Sequence, residues 1–140
     1  MDAELIQLAK QTATKYGLDP VLVCAVIEQE SAWNQWAARF EPRFLARYIQ
    51  PLGLFDLTEA NLRSTSFGLM QLMGEVAREL GYKGPLCQLC DPPVGLVLGC
   101  QHLANKFKQH PDVTAALLAW NGGANLDYPA QVLARMDKYK

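Results

Sequence analysis

A chain of 140 residues, half of them hydrophobic and 19% charged, has the make-up of one ordinary globular domain and not of a disordered tract. That length is enough to bury a sizeable core without staples. The formal net charge of −1 excludes the basic footprint expected of nucleic-acid or anionic-membrane binding, and no apolar run approaches the roughly 18 residues of a membrane span.

Helical signals dominate in chain order. Leu5, Ile6, Leu8, Ala9 and Ala13 lie on or near one stripe, which predicts a helix over 3–16 with Gly17 as its stop. Asp19-Pro20 then opens a second helix, Asp being a favoured N-cap and Pro preorganised for the first turn. This helix carries Glu30. At about 100° per residue, Val23, Val26, Ile27 and Trp33 all fall within roughly 60° of Glu30. Glu28 falls on nearly the opposite side and reads as a solvated surface charge. Phe40, Phe44, Leu45, Tyr48 and Ile49 show helical spacing, interrupted by Pro42 and ended by Pro51, and a short helix is expected over 58–63. The spacing of Leu69, Leu72, Met73, Val76 and Leu80 predicts a helix over 69–80, with Ser66 able to cap its start and Gly81 closing it. Residues 82–90 read as a loop. Asp91-Pro92 repeats the start signal for a helix to about Gln109, with Val97, Cys100, Leu103, Ala104 and Phe107 inward. Pro111-Asp112 opens another over Val113–Trp120, ending at Asn121-Gly122-Gly123, and a last helix is expected over 129–138. With no alternating strand pattern, repeat or linker, the expected fold is an all-α bundle in which residues 1–140 form a single domain.

The chemistry centres on Glu30. An ionised carboxylate among apolar side chains is costly, so its pKa should rise and it would hold a proton near neutral pH, as a general acid must. A buried Glu satisfied by an Arg or by backbone donors is the plainer alternative. Gly68 weakens a helix start, and Gln71 sits among large apolar residues, where a buried amide must bond backbone or face a ligand. The paired glycines after Asn121 permit close backbone approach or positive φ. Of the four cysteines, Cys87-Gln-Leu-Cys90 has metal or redox spacing and could recruit Cys100 or His102 to zinc. A disulfide is the second possibility, and reduced, partly buried thiols, Cys24 included, are the default for an unexported chain. The N-terminus lacks the basic and apolar regions of a signal peptide.

Taken together, Glu30-Ser31, then Ser66-Phe67-Gly68-Leu69-Met70-Gln71-Leu72-Met73, then Trp120-Asn121-Gly122-Gly123, resemble the soluble lytic transglycosylase and goose-type lysozyme family. The likeness covers nearly the whole chain. It implies a mostly helical, lysozyme-like domain with a substrate groove that cleaves the β-1,4 bond between N-acetylmuramic acid and N-acetylglucosamine in peptidoglycan. By that resemblance Glu30 is the catalytic acid, and Ser31, Ser66, Gly68, Met70, Gln71, Trp120 and Asn121 belong to the groove. Trp120 stands where the family usually has Tyr, so a phenol hydroxyl is missing there; Tyr128 or the indole face could compensate. The stretch between Glu30-Ser31 and the glycine motif is longer than in the family's minimal pattern, and it offers Glu41 as a second carboxylate; Glu41 reads otherwise as a surface partner of Arg39, Arg43 or Arg47. Asp56 is a weaker candidate for the same role. One carboxyl acting alone implies a 1,6-anhydro product, whereas Glu41 activating water implies hydrolysis. A catalytically dead glycan-binding module and a plain helical bundle with zinc at Cys87 and Cys90 are the rivals. No cofactor is implied, and a monomer without nucleic-acid or membrane partners is expected. A phage or prophage endolysin, released by a holin or carried on a particle, fits the missing export signal.

Overall fold

In the computed structural model, which describes residues 2–140, the chain is mostly helical around a three-stranded sheet. Helix α1 (Ala3–Lys15) begins at Asp2, whose carboxylate accepts from the Glu4 and Leu5 amides, and stops before Gly17 at φ 73°. Helix α2 (Pro20–Ser31) is capped by Asp19, which accepts from the Val21 amide at 2.9 Å. Strand β1 (Ala38–Phe40) leads to a short turn α3 (Pro42–Phe44), continued by a π turn over Leu45–Ile49 and a 3-10 turn over Gln50–Leu52. Pro42 therefore starts this helical run instead of interrupting it, as its missing N–H and fixed φ favour. Phe40 belongs to the strand.

Helix α4 (Leu57–Arg63) follows, with Asp56 as its N-cap, the carboxylate accepting from the Glu59 amide at 3.1 Å. Strands β2 (Thr65–Phe67) and β3 (Leu72–Met73) form an antiparallel hairpin, and β1 pairs with the other edge of β2. The register sets Arg39 opposite Ser66 and Ser66 opposite Met73. Here the helix expected over 69–80 is corrected. Residues 68–71 make the hairpin turn, closed by the Gln71 amide on the Gly68 carbonyl at 3.2 Å, and only α5 (Gly74–Glu79) is helical. Ser66 is accordingly a strand residue and caps nothing. The apolar spacing that imitates a helix has two sources: Leu69 and Met70 plunge into the main core, while Leu72 packs in a second cluster.

A 3-10 turn over Leu86–Cys90 precedes the long α6 (Pro92–Gln109), then α7 (Val113–Trp120), capped by Asp112, and α8 (Tyr128–Leu133), with a final 3-10 turn over Met136–Tyr139. The α6 face turned inward is Gly95, Leu96, Gly99, Cys100 and Leu103, so Val97 is only half-buried. The main core gathers α1, α2, α6, α7 and α8; the second, smaller cluster joins Phe67, Leu72, Ala77, Leu86 and Leu89.

Helix α2 is the hub. Six consecutive residues, Leu22 to Ile27, are buried, so the helix is enclosed on all sides near its middle. That explains why Glu28 is not a solvated charge. Its side chain is 10% exposed and meets the C-terminal turn, accepting from the Tyr139 hydroxyl at 2.5 Å and from Arg135 Nη1 at 2.6 Å, with Lys138 Nζ 2.9 Å away. Burial works to raise its pKa, but the Tyr139, Arg135 and Lys138 donors outweigh it and hold the carboxyl at about 2. The two glutamates of this helix thus sit in opposite electrostatic environments. Among the described residues no helix is long and apolar enough to cross a membrane.

Candidate active site

Glu30 occupies the last turn of α2, where the chain leaves abruptly. Ala32 and Trp33 both take positive φ, 50° and 64°, a conformation costing roughly 1–2 kcal/mol at each non-glycine residue. Trp33 helps to offset this: its indole N–H donates to the Tyr139 hydroxyl at 2.8 Å, and the two rings lie 5.9 Å apart. The early exit leaves the Glu30 carboxyl facing a cleft of about 550 Å³.

Four parts of the chain wall that cleft. Arg39, Glu41 and Phe44 come from β1 and the turn after it; Ser66, Gln71, Leu72, Met73 and Val76 come from the hairpin and α5; His102 comes from α6; Trp120, Asn121 and Gly122 come from the end of α7. Burial pushes the Glu30 pKa up, opposed by smaller hydrogen-bonding contributions from Tyr128 and Trp120. The carboxyl also sits at the negative end of its own helix, which disfavours ionisation further. From α8, the buried Tyr128 hydroxyl donates to Glu30 Oε2 at 2.5 Å. Burial, then the adjacent Glu30 carboxylate, drive the Tyr128 pKa far upward, so this phenol remains a donor. A phenol hydroxyl therefore does reach the acid, from α8 and not from the Trp120 position.

The other sequence candidates divide. Ser66, Gln71, Trp120 and Asn121 line the cleft with Glu30. The Gln71 amide is committed on its nitrogen side, donating at 2.9 Å to both the Ala37 and Gly68 carbonyls, which holds its backbone at φ 52°. Glu41 lies on the cleft and is also paired with Arg39 at 2.9 Å, so both readings of it describe its surroundings. Three candidates are not cleft walls. Met70 is 1% exposed in the main core, its sulfur packed where a side chain on Gly99 would be. Gly68 is buried against the Leu89 carbonyl, only 2.4 Å from where a Cβ would stand, and its φ of 77° makes the turn. Ser31 fastens α2 to that turn through its hydroxyl, 2.8 Å from the Leu69 carbonyl. These three shape the site from behind.

His102, which the sequence offers only as a zinc ligand, lies on the cleft wall with its ring centroid 5.5 Å from that of Trp120. The signal available was its place beside the inward stripe of α6. All four cysteines are free thiols. Cys24 and Cys100 are buried, and burial pushes their pKa values up to about 11 and about 12, which makes them inert packing groups. Among the described residues no three His, Cys, Asp or Glu side chains converge as a metal site would need, so the zinc reading of Cys87 and Cys90 has no geometry behind it.

Comparison with known proteins agrees in kind. A protein described as "Transglycosylase" from Enterobacteria phage PRD1 is 28% identical over 133 residues, covering 89% of this chain and 40% of its own length. The chain thus spans about two fifths of the length of that relative. No solved structure matches significantly. The profile of the transglycosylase SLT domain matches residues 7–131. With that match spanning most of its length, the chain belongs to the transglycosylase SLT domain family.

Proposed function

We propose that this domain cleaves the β-1,4 glycosidic bond between N-acetylmuramic acid and N-acetylglucosamine in peptidoglycan, with Glu30 as general acid and then base. The observation that carries this reading is the Glu30 carboxyl, half-buried on the wall of the cleft with its proton affinity raised. Protonated Glu30 donates to the bridging oxygen as the bond to the muramic C1 breaks, through an oxocarbenium-like state. The ionised carboxylate then takes the proton of the muramic C6 hydroxyl as that oxygen bonds C1. No water is consumed, and the product carries a 1,6-anhydro ring. Tyr128 steadies the carboxylate between the two steps through its hydroxyl.

Glu41 supports a second route, because it shares the cleft with Glu30. A water activated by Glu41 would give hydrolysis and a reducing end. Its ion pair with Arg39 favours the lytic route, since that carboxylate already has a partner. Mass spectrometry of fragments released from purified peptidoglycan separates the two. Anhydro ends, lighter by one water, are expected; reducing ends alone would assign the chemistry to hydrolysis.

The pH dependence follows from the proton donor. Activity falls as pH rises through the elevated Glu30 pKa, because the acid is then ionised. Tyr128→Phe removes a hydrogen bond that holds this pKa down, so its alkaline limb moves to higher pH. A rate–pH profile of both proteins checks this, and a wild-type rate flat between about pH 5 and 9 would argue against the acid role. We further propose that the enzyme reaches the wall by holin-type release or on a phage particle; the phage origin of the relative supports that route.

A further inference from the structure

His102 projects from α6 into the cleft wall beside Trp120, the two rings inclined at 46°. Every fully buried side-chain nitrogen and oxygen among the described residues has a hydrogen-bond partner, and the His102 imidazole, which is only half-buried, has none among them. Its nitrogens therefore reach open space, and the open space it lines is the cleft. Burial, aided by Lys106 one turn further along α6, pushes its pKa down to about 4. Near neutral pH the ring is uncharged and offers one donor and one acceptor. Half-buried polar groups of this kind cost stability unless water or a ligand completes them. A phenylalanine would make the same ring contact with Trp120 without that cost. The combination of a flat aromatic face with a polar group at its edge suits a pyranose, whose C–H face is apolar and whose rim carries hydroxyl and acetamido groups.

We propose that His102 is a sugar-contacting residue, its imidazole hydrogen-bonding a hydroxyl or acetamido group of the glycan unit stacked on Trp120. It rests on the glycan-cleaving reading and adds to it a residue that holds a sugar in the cleft that Glu30 lines. Glu30→Gln protein carrying labelled histidine, titrated with soluble peptidoglycan fragments, tests the contact by NMR. The chain has two histidines, and His110, exposed at the end of α6, is the internal reference. The His102 ring signals shift with added fragment and those of His110 do not. In the active protein, His102→Phe raises KM about two- to tenfold, the factor for one lost hydrogen bond, with less change in kcat and no loss of Tm. His102→Gln recovers part of the KM. Fragments that bind without moving the His102 signals, or a His102→Phe enzyme with wild-type KM, would overturn the contact alone. Fragments that do not bind at all would overturn the glycan reading of the cleft and this contact with it.

Discussion

Glu30→Gln is expected to lower peptidoglycan cleavage by about 10²- to 10⁴-fold, the contribution of a positioned general acid, with the fold retained. The amide has nearly the shape of the carboxyl, and its oxygen can still accept the Tyr128 hydroxyl. It has no proton to transfer. Stability should move in the opposite direction from activity. Because burial raises the folded-state pKa of Glu30 above its unfolded value, the wild type is favoured while this group is protonated. That contribution is complete below the unfolded pKa and is lost as pH rises through the folded one. The neutral amide removes the penalty, so the variant's Tm near neutral pH matches or exceeds that of the wild type. Turbidity loss of cell-wall suspensions and thermal melts measure the two effects. A folded Glu30→Gln protein with full activity contradicts the acid role.

Gly68→Ala should be among the most damaging single-methyl changes in the molecule. Its φ of 77° disfavours any L side chain, and the added Cβ would stand 2.4 Å from the Leu89 carbonyl oxygen, a backbone atom that cannot swing away. Strain and overpacking together predict a loss of about 2–4 kcal/mol. For a domain of this size that lowers Tm by roughly 10 °C. Gly17→Ala is the control, since Gly17 has φ 73° but no atom of the described residues within 4 Å of its Cβ position. It bears the strain alone, about 1 kcal/mol. Urea or thermal unfolding of the pair distinguishes contact from conformation. Equal losses in the two variants would mean that the hairpin does not press on the Leu86–Cys90 turn as described. Because this hairpin presents Ser66 and Gln71 to the cleft, activity should decline with the folded fraction.

Where local chemistry decides the outcome, the sequence was informative. Asp19 and Asp112 mark helix starts because a carboxylate reaches the first free amides, and the structure shows both bonds. Asp91 marks the start of α6 without such a bond, with Pro92 supplying the preorganised turn. Glu30 was legible because one carboxyl on an apolar helical face is costly wherever the fold places it. The hairpin was not legible, since strands of three, three and two residues are too short for alternation to register. Glu28 departs from its helical-wheel position for a different reason. A helical wheel supposes one wet side, and α2 has the C-terminal turn packed where solvent was expected. Family likeness points Met70 to the groove, but the positive-φ turn from Gly68 directs it into the main core. His102 comes to the cleft through the packing of α6 against α7, a long-range event that no local window contains.

All of the proposed chemistry requires Glu30 to keep its proton when ordinary glutamates have lost theirs. Carbon-13 NMR titration of the side-chain carboxyls reads that property site by site. Glu30 should titrate clearly above the usual glutamate value of about 4.3, while Glu28, on the same helix, titrates at about 2. A Glu30 midpoint at or below the usual value would mean that the cleft holds a charged carboxylate at neutral pH, and Glu30 could not then be the acid that breaks the glycosidic bond.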